Sequence, residues 1–250
     1  MNDEETLHKL TEMRLHGMVA AVREIQALAP GHSLSFSEKL GMVVDREWTD
    51  RENRKLARFL RAAKLPTEAT LEDAWCQPGR GLTKALVRDL ATCKWIDHHH
   101  NVIVLGKTGC GKSFLATALA QAACRQGRRA LYVRVPRLLH DLTIARAEGS
   151  YSELLRRFAQ LDVLVLDDFL IAPLSDVERR DMLEVLEDRY DHTSTVIATQ
   201  VPTKNWHSML ADPTIADAIC DRLVHNAHVI PLTGRSMREQ KGMSTKSTTT

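Results

Sequence analysis

Gly106-Lys107-Thr108-Gly109-Cys110-Gly111-Lys112-Ser113 places two glycines, a lysine and a hydroxyl at the spacing G-x-x-x-x-G-K-[ST], with a third glycine, Gly109, between them. Glycines let a loop curl until several backbone N–H groups converge on phosphate oxygens, and a helix opening at the end of the loop adds a favourable dipole. In such a loop Lys112 reaches the β- and γ-phosphates. Ser113 sets its hydroxyl on a Mg²⁺ ion that bridges them. The run from Gly106 to Ser113, with Phe114 after it, is therefore the expected nucleotide-binding segment. Cys110 fills a free position of the pattern and is given no chemistry. The alternative is an ordinary glycine turn.

A second group follows in Val163-Leu164-Val165-Leu166-Asp167-Asp168, four apolar residues ending in two carboxylates. A buried strand of that kind delivers its last residues to the carboxyl edge of a parallel sheet, where ligands of open α/β sheets bind. Asp167 is expected to hold the metal, mostly through water, and Asp168 to orient or deprotonate the attacking water. Glutamate is common at the second position, so the shorter aspartate points to slow hydrolysis. A surface Asp-Asp turn is the competing reading. Thr199 and Gln200 end another apolar strand and are candidates to sense the γ-phosphate, against a plain strand-end turn before Pro202. Arg222, in Asp221-Arg222-Leu223, would stabilise phosphate charge in the site of an adjacent subunit. Its competitor is a local ion pair with Asp221 or Asp217. Together these residues imply ATP and Mg²⁺ as cofactors and hydrolysis to ADP and phosphate as the reaction.

The elements that must position them are legible from residue 101 onward, where apolar strands alternate with longer helices as in a parallel α/β sheet. Strands are expected at 101–105, 130–135, 162–166, 194–199 and 227–232, and helices at 113–125, 136–148, 152–160, 176–190 and 215–224. Upstream the pattern is helical. Leu7, Leu10, Leu15, Met18, Val22 and Ile25 predict one amphipathic helix over 7–28, ended by Pro30-Gly31. Ser35 and Glu38 form a capping-box pattern ahead of a second helix running toward Trp48.

Arg51, Arg54, Lys55, Arg58 and Arg61 then fall on one helical face, opposite Leu56, Phe59, Leu60 and Ala63, and within this stretch only Glu52 offsets them. That stripe would contact a phosphate backbone or would simply be a solvated face. The segment 66–81 looks like a connector, and Leu82, Ala85, Leu86 and Leu90 suggest a short helix after it. His98-His99-His100 is not expected to bind metal, because adjacent side chains point in different directions. The expected division is a helical DNA- or partner-binding domain at 1–80, an ATPase domain at 81–235 and a polar, disordered tail at 236–250.

Composition narrows the class. The chain of 250 residues is 44% hydrophobic and 26% charged, carries no apolar run long enough for a bilayer, and begins with acidic residues where a secretory signal would be basic. No membrane association and a cytoplasmic location are expected. Five cysteines, odd in number and without a Cys-x-x-Cys pair, suggest reduced structural thiols. A formal net charge of +2 is too small for the whole molecule to act as a polycation, so affinity for nucleic acid would have to be local.

Nearly end to end, the chain resembles the IstB group of transposition helper ATPases encoded by insertion sequences, relatives of the DnaC helicase loaders. The resemblance runs through Arg14-Leu15-His16-Gly17-Met18, Ser37-Glu38-Lys39-Leu40-Gly41, Arg51-Glu52-Asn53-Arg54, the phosphate loop, Leu166-Asp167-Asp168, the stretch from Ala216 to His228, and Gly234-Arg235-Ser236-Met237-Arg238. It implies an AAA+ P-loop domain with a central parallel sheet, behind a small all-helical N-terminal domain. The separation of Lys112 from Asp167, with a strand between, also fits AAA+ ATPases better than compact nucleotide kinases. The resemblance further implies ATP-dependent homo-oligomers that bind duplex DNA without strong sequence preference and stimulate a partner transposase. One departure stands out: the group commonly has Trp-Gly after the paired aspartates, where this chain has Phe169-Leu170. Arg238 matches a family arginine and would act in the manner of a second sensor. The alternatives are a replicative helicase loader, an ATP-gated scaffold without useful turnover, and a small-molecule kinase.

Overall fold

Runs of β-branched and leucine residues with no polar alternation belong to strands covered on both faces, and such strands pair in parallel. In the computed structural model, which describes residues 3–27, 34–74, 76 and 80–234, five of them form one sheet. They are β1 (Asn101–Gly106), β2 (Ala130–Arg134), β3 (Val163–Phe169), β4 (Ser194–Thr199) and β5 (Ala227–Leu232), in the order β2-β3-β4-β1-β5 and parallel throughout. The expected bounds of β4 and β5 agree with those observed. β3 runs past its expected end through Asp167, Asp168 and Phe169, with an irregularity in pairing between Leu166 and Phe169.

Helices α6 (Lys112–Arg125), α7 (Val135–Glu148), α8 (Tyr151–Ala159), α9 (Asp176–Glu187), α10 (Trp206–Leu210) and α11 (Pro213–Val224) accompany the strands. α6 is lined with Ala116, Ala118, Ala120 and Ala123, all fully buried. Small side chains let its backbone lie close to the sheet. Ser175 and Glu178 close a reciprocal capping box that starts α9, and Asp212 with Pro213 starts α11. Leucines from α7 (Leu138, Leu139, Leu142) pack with Leu164, Leu166, Met182 and Leu186 in one hydrophobic core. Arg189 is buried at 1% exposure and donates to the carbonyls of Phe158, Leu161 and Ser194 and to the Thr195 hydroxyl, tying the ends of α8 and α9 to β4.

The chain divides into two compact units between Arg58 and Phe59. The smaller holds α1 (Asp3–Glu12), α2 (His16–Gln26) and most of α3 (Phe36–Ala63). Two expectations are corrected here. The single helix expected over 7–28 is broken at Met13–Leu15, where Arg14 takes a left-handed φ of 59°. The break allows α2 to begin at His16, with the Gly17 and Met18 N–H groups donating to Glu47. A Cβ on Gly17 would lie 2.6 Å from Glu47 Cα, so glycine is what permits this approach. Conversely, the two stretches separated at Trp48 form one continuous helix, since nothing between Trp48 and Arg51 breaks it. The capping box at Ser35 and Glu38 does start it.

The segment expected to connect the domains belongs with the larger unit: Ala69 and Leu71 are buried, and Arg125 pairs with Glu72 at 2.7 Å. α4 (Lys84–Ala91) is the short helix expected there, and α5 (Lys94–Asp97) follows. Pro30, Gly31, Arg238 and the polar tail lie outside the described residues. Among those described, no helix is long and apolar enough to cross a membrane.

Candidate nucleotide site

The strand register shows which side chains meet. Leu105 pairs with Thr199, Phe169 also with Thr199, and Arg134 with Asp167, so Gly106, Gln200, the two aspartates and Arg134 all reach the same carboxyl edge. Gly109 and Gly111 have φ of 81° and 102°, values that favour glycine, and Gly111 hands the chain directly to α6. Lys112 Nζ donates to the Lys107 carbonyl at 3.0 Å, which keeps the ammonium over the loop. Cys110 is buried beside Gly106, and its carbonyl accepts from Arg80 at 3.1 Å. Arg80 is itself buried and anchored just past the end of β5 by the Thr233 N–H, which donates to its carbonyl at 3.1 Å. The connector thus supports the loop, a contact that a turn-rich sequence signal does not reveal.

Asp167 is 3% exposed, and both its oxygens are engaged: Oδ1 accepts the Asp168 N–H at 2.9 Å and Oδ2 accepts the Tyr132 hydroxyl. Burial and this carboxylate push the Tyr132 phenol above the usual tyrosine range. Asp168 stands in the left-handed region at φ 57° and accepts from Arg134 Nε at 2.7 Å. Leu170 also has a positive φ, 55°, at the position where the resembled group carries glycine. A leucine there costs about 1–2 kcal/mol of backbone energy. Its side chain is 1% exposed, and that burial offsets the cost. Phe169 packs edge-on to Trp206 at 4.9 Å.

The two sensor candidates separate. The Thr199 hydroxyl donates to the Phe169 carbonyl and accepts from the Val201 N–H, and the residue is 1% exposed, so it serves the strand end. Gln200 is exposed, and the Thr108 hydroxyl donates to its side-chain oxygen at 3.0 Å, linking β4 to the phosphate loop. Arg222 lies at the other edge: its carbonyl accepts from Asn101 Nδ2 at 2.9 Å, at the beginning of β1. A strand of this length puts it about 17 Å from the loop of its own chain. Its guanidinium pairs with Glu187, rather than with Asp221 or Asp217, and donates to the Ala218 carbonyl at 2.9 Å.

On α3 the apolar face is as expected, with Ala63 fully buried and Leu56, Phe59 and Leu60 half-buried. The charge balance of the stripe is corrected. Arg51 pairs with Glu47 at 2.7 Å, Arg54 with Asp50 at 3.0 Å, and Lys55 approaches Glu52 at 4.0 Å. Acids one turn earlier on the helix, Glu47 and Asp50, offset much of it. Of the three histidines, His100 Nδ1 faces His228 Nε2 at 3.3 Å, and among the described residues no group of three or more acidic, Cys or His side chains is placed to hold a metal.

A family model for IstB-like ATP binding proteins matches residues 8–245. The chain belongs to this family. A protein of Sinorhizobium fredii named as an insertion sequence ATP-binding protein is 47% identical over 236 residues, covering 94% of this chain and 96% of the relative. Among solved structures, the DnaC helicase loader superposes with a TM-score of 0.57 at 21% identity, covering 70% of this chain and 99% of the loader. AMPPCP-bound DnaA from Aquifex aeolicus gives 0.56 at 15% identity, over 74% of this chain and 56% of that one. These likenesses establish the fold as that of AAA+ P-loop NTPases, with the IstB-like ATP-binding domain on a five-stranded parallel sheet.

Proposed function

We propose that this chain is an ATP-dependent helper of insertion-sequence transposition. In this reading it binds ATP with Mg²⁺ at the carboxyl edge of the sheet, hydrolyses it slowly, assembles with copies of itself on duplex DNA, and stimulates or directs a partner transposase. The observation that carries this is the meeting of Lys112, Ser113, Asp167 and Asp168 at one sheet edge, in a chain whose relative across 94% of its length is named for ATP binding in an insertion sequence.

The donor set fits Mg²⁺, which favours one or two protein oxygens completed by phosphates and water; here those are the Ser113 hydroxyl and the Asp167 carboxylate. Bound there, the ion would neutralise charge on the β- and γ-phosphates. Loop N–H groups and Lys112 hold the phosphates. Asp168 accepts a proton from the water that attacks the γ-phosphorus as the bond to ADP breaks. Arg222, at the opposite edge from its own loop, serves the site of a second copy, exchanging Glu187 for a phosphate. The α3 stripe supplies phosphate-backbone contacts on the DNA, reduced in number by its acidic neighbours.

Steady-state ATP turnover of the full chain, with and without duplex DNA, tests the reading. Turnover should rise on duplexes of unrelated sequence. Stimulation by single strands alone would favour a helicase loader, and absence of turnover under every condition would favour an ATP-gated scaffold. Assembly is tested by mixing Arg222→Ala with Lys112→Ala protein: the first contributes an intact loop and the second an intact arginine, so the mixture should exceed the sum of the two. A mixture no more active than its parts would refute action across subunits.

A further inference from the structure

We propose that Tyr132 is a positioning residue of the metal site, whose phenol holds the Asp167 carboxylate in place and so sets how tightly Mg²⁺ is held, separately from how tightly the nucleotide is held. The inference rests on the reading of Ser113 and Asp167 as the metal's protein ligands.

The register explains why a tyrosine stands there. Arg134 is level with Asp167, and Tyr132, two residues earlier, is level with Val165. Positions 132 and 134 project to the same face of the sheet. To act at the edge, a side chain at 132 must lean forward across two residues of strand, about 6.6 Å. A tyrosine spans that with a rigid ring and a polar end. Its hydroxyl donates to Asp167 Oδ2. Since the Asp168 N–H holds Oδ1, the carboxylate of Asp167 is fixed by two donors.

The character of those donors matters as much as their positions. Both are neutral. Among the described residues, Asp167 makes no ion pair, whereas its neighbour Asp168 is paired with Arg134 at 2.7 Å. A guanidinium on Asp167 would compete directly with a divalent cation for the negative charge. A phenol orients the carboxylate and leaves that charge available. β2 therefore supplies a neutral donor to the carboxylate that is to hold metal and a cation to the one that is not.

The test uses the full chain and two separate titrations: Mn²⁺ into the complex with a non-hydrolysable ATP analogue, followed by electron paramagnetic resonance, and a fluorescent ATP analogue in excess chelator. Tyr132→Phe should raise the Mn²⁺ dissociation constant about tenfold, the scale of a hydrogen bond to a charged group. Chelator-resistant nucleotide affinity should stay within about twofold. Equal Mn²⁺ affinity in the two proteins would overturn the role, as would a parallel fall in metal-free nucleotide binding, which would mark the ring as packing. If the unaltered chain takes up no Mn²⁺ in its nucleotide complex, the reading of Ser113 and Asp167 fails and this inference with it. A second measurement covers the case in which the variant does not fold. With 3-fluorotyrosine incorporated and the signal assigned through Tyr151→Phe and Tyr190→Phe, the fluorine resonance of residue 132 should move when Mg²⁺ is added to nucleotide-bound protein. A resonance that stays fixed refutes the proposal.

Discussion

Two carboxylates, Glu47 in the helical unit and Asp167 in the sheet unit, are nearly equally buried, at 4% and 3% exposure, and both accept backbone N–H groups. They differ in what completes them. Glu47 is closed off by guanidinium groups of Arg51 and Arg54 as well as the start of α2, which leaves it no capacity for a ligand. Asp167 is completed only by neutral donors and lies near the carboxyl end of β3, at the sheet edge where the phosphate loop leaves β1. A buried carboxylate with cationic partners holds a fold together. One with neutral partners at the carboxyl edge of a parallel sheet is available to bind a cation.

Exchanging each for a neutral residue should therefore give opposite losses, and this is the largest expected effect. Asp167→Asn should leave thermal stability nearly unchanged and reduce ATP turnover at least a hundredfold, because the metal loses its charged ligand. Glu47→Ala should retain ATP affinity but strip the partners from two N–H groups at the start of α2, costing about 2 kcal/mol. Faster hydrogen exchange across residues 3–58 would report it. Loss of ATP binding in the Glu47 variant, or of helix protection in the Asp167 variant, would break the distinction.

The same comparison yields a pH dependence. Burial tends to raise the Glu47 pKa, but the Arg51 guanidinium and the Gly17 and Met18 N–H groups outweigh it and hold the carboxyl below the usual range. A carboxyl lowered in the folded state stabilises fully above its unfolded pKa, about 4.3, and that contribution is lost as pH falls through the lower folded value. The α2–α3 contact should therefore loosen only below about pH 4, and in Glu47→Gln that acid step should shrink.

The sheet was legible in the sequence because its strands are long apolar runs bounded by turn residues, and the phosphate loop because its spacing admits few other uses. Part of what escaped depended on contacts distant in sequence. Nothing local marks Tyr132 and Arg134 as neighbours of the paired aspartates; the adjacency of β2 and β3 decides that. Arg14 takes a left-handed turn with no glycine or proline to announce it, and α10 is too short for a periodic pattern. The continuity of α3 was readable, since no breaker separates Trp48 from Arg51. So were the acids one turn ahead of the basic stripe, since Glu47 and Asp50 belong to the same unbroken helix.

Those acids lower the expected DNA effect. An unpartnered stripe would flatten the slope of log affinity against log salt by about two units when Arg54 and Arg58 become Gln, at about 0.9 per phosphate contact. Arg54 is already shared between Asp50 and Glu47. The double variant should then lower the slope by clearly less than those two units, equally on unrelated duplexes, with ATP affinity intact. Fluorescence anisotropy over a salt series measures this. An unchanged slope would move the DNA contacts off α3.

The smallest expected effect concerns the other carboxylate of the site. Asp168 is paired with Arg134, but the arginine side chain is 63% exposed and the aspartate 26%, so water screens the pair. Exposed pairs contribute about 0.2–1 kcal/mol, and Arg134→Gln should scarcely move the melting temperature. Kinetically the pair matters more, because the arginine holds the carboxylate turned toward β2. Releasing it should raise turnover without DNA by roughly threefold, the rate equivalent of an interaction of that size. The opposite outcome is equally informative. A fall in turnover with unchanged nucleotide affinity would mean that Arg134 assists the phosphate in its own site, and that both cations of β2 and α11, Arg134 from the same chain and Arg222 from another, act on one γ-phosphate.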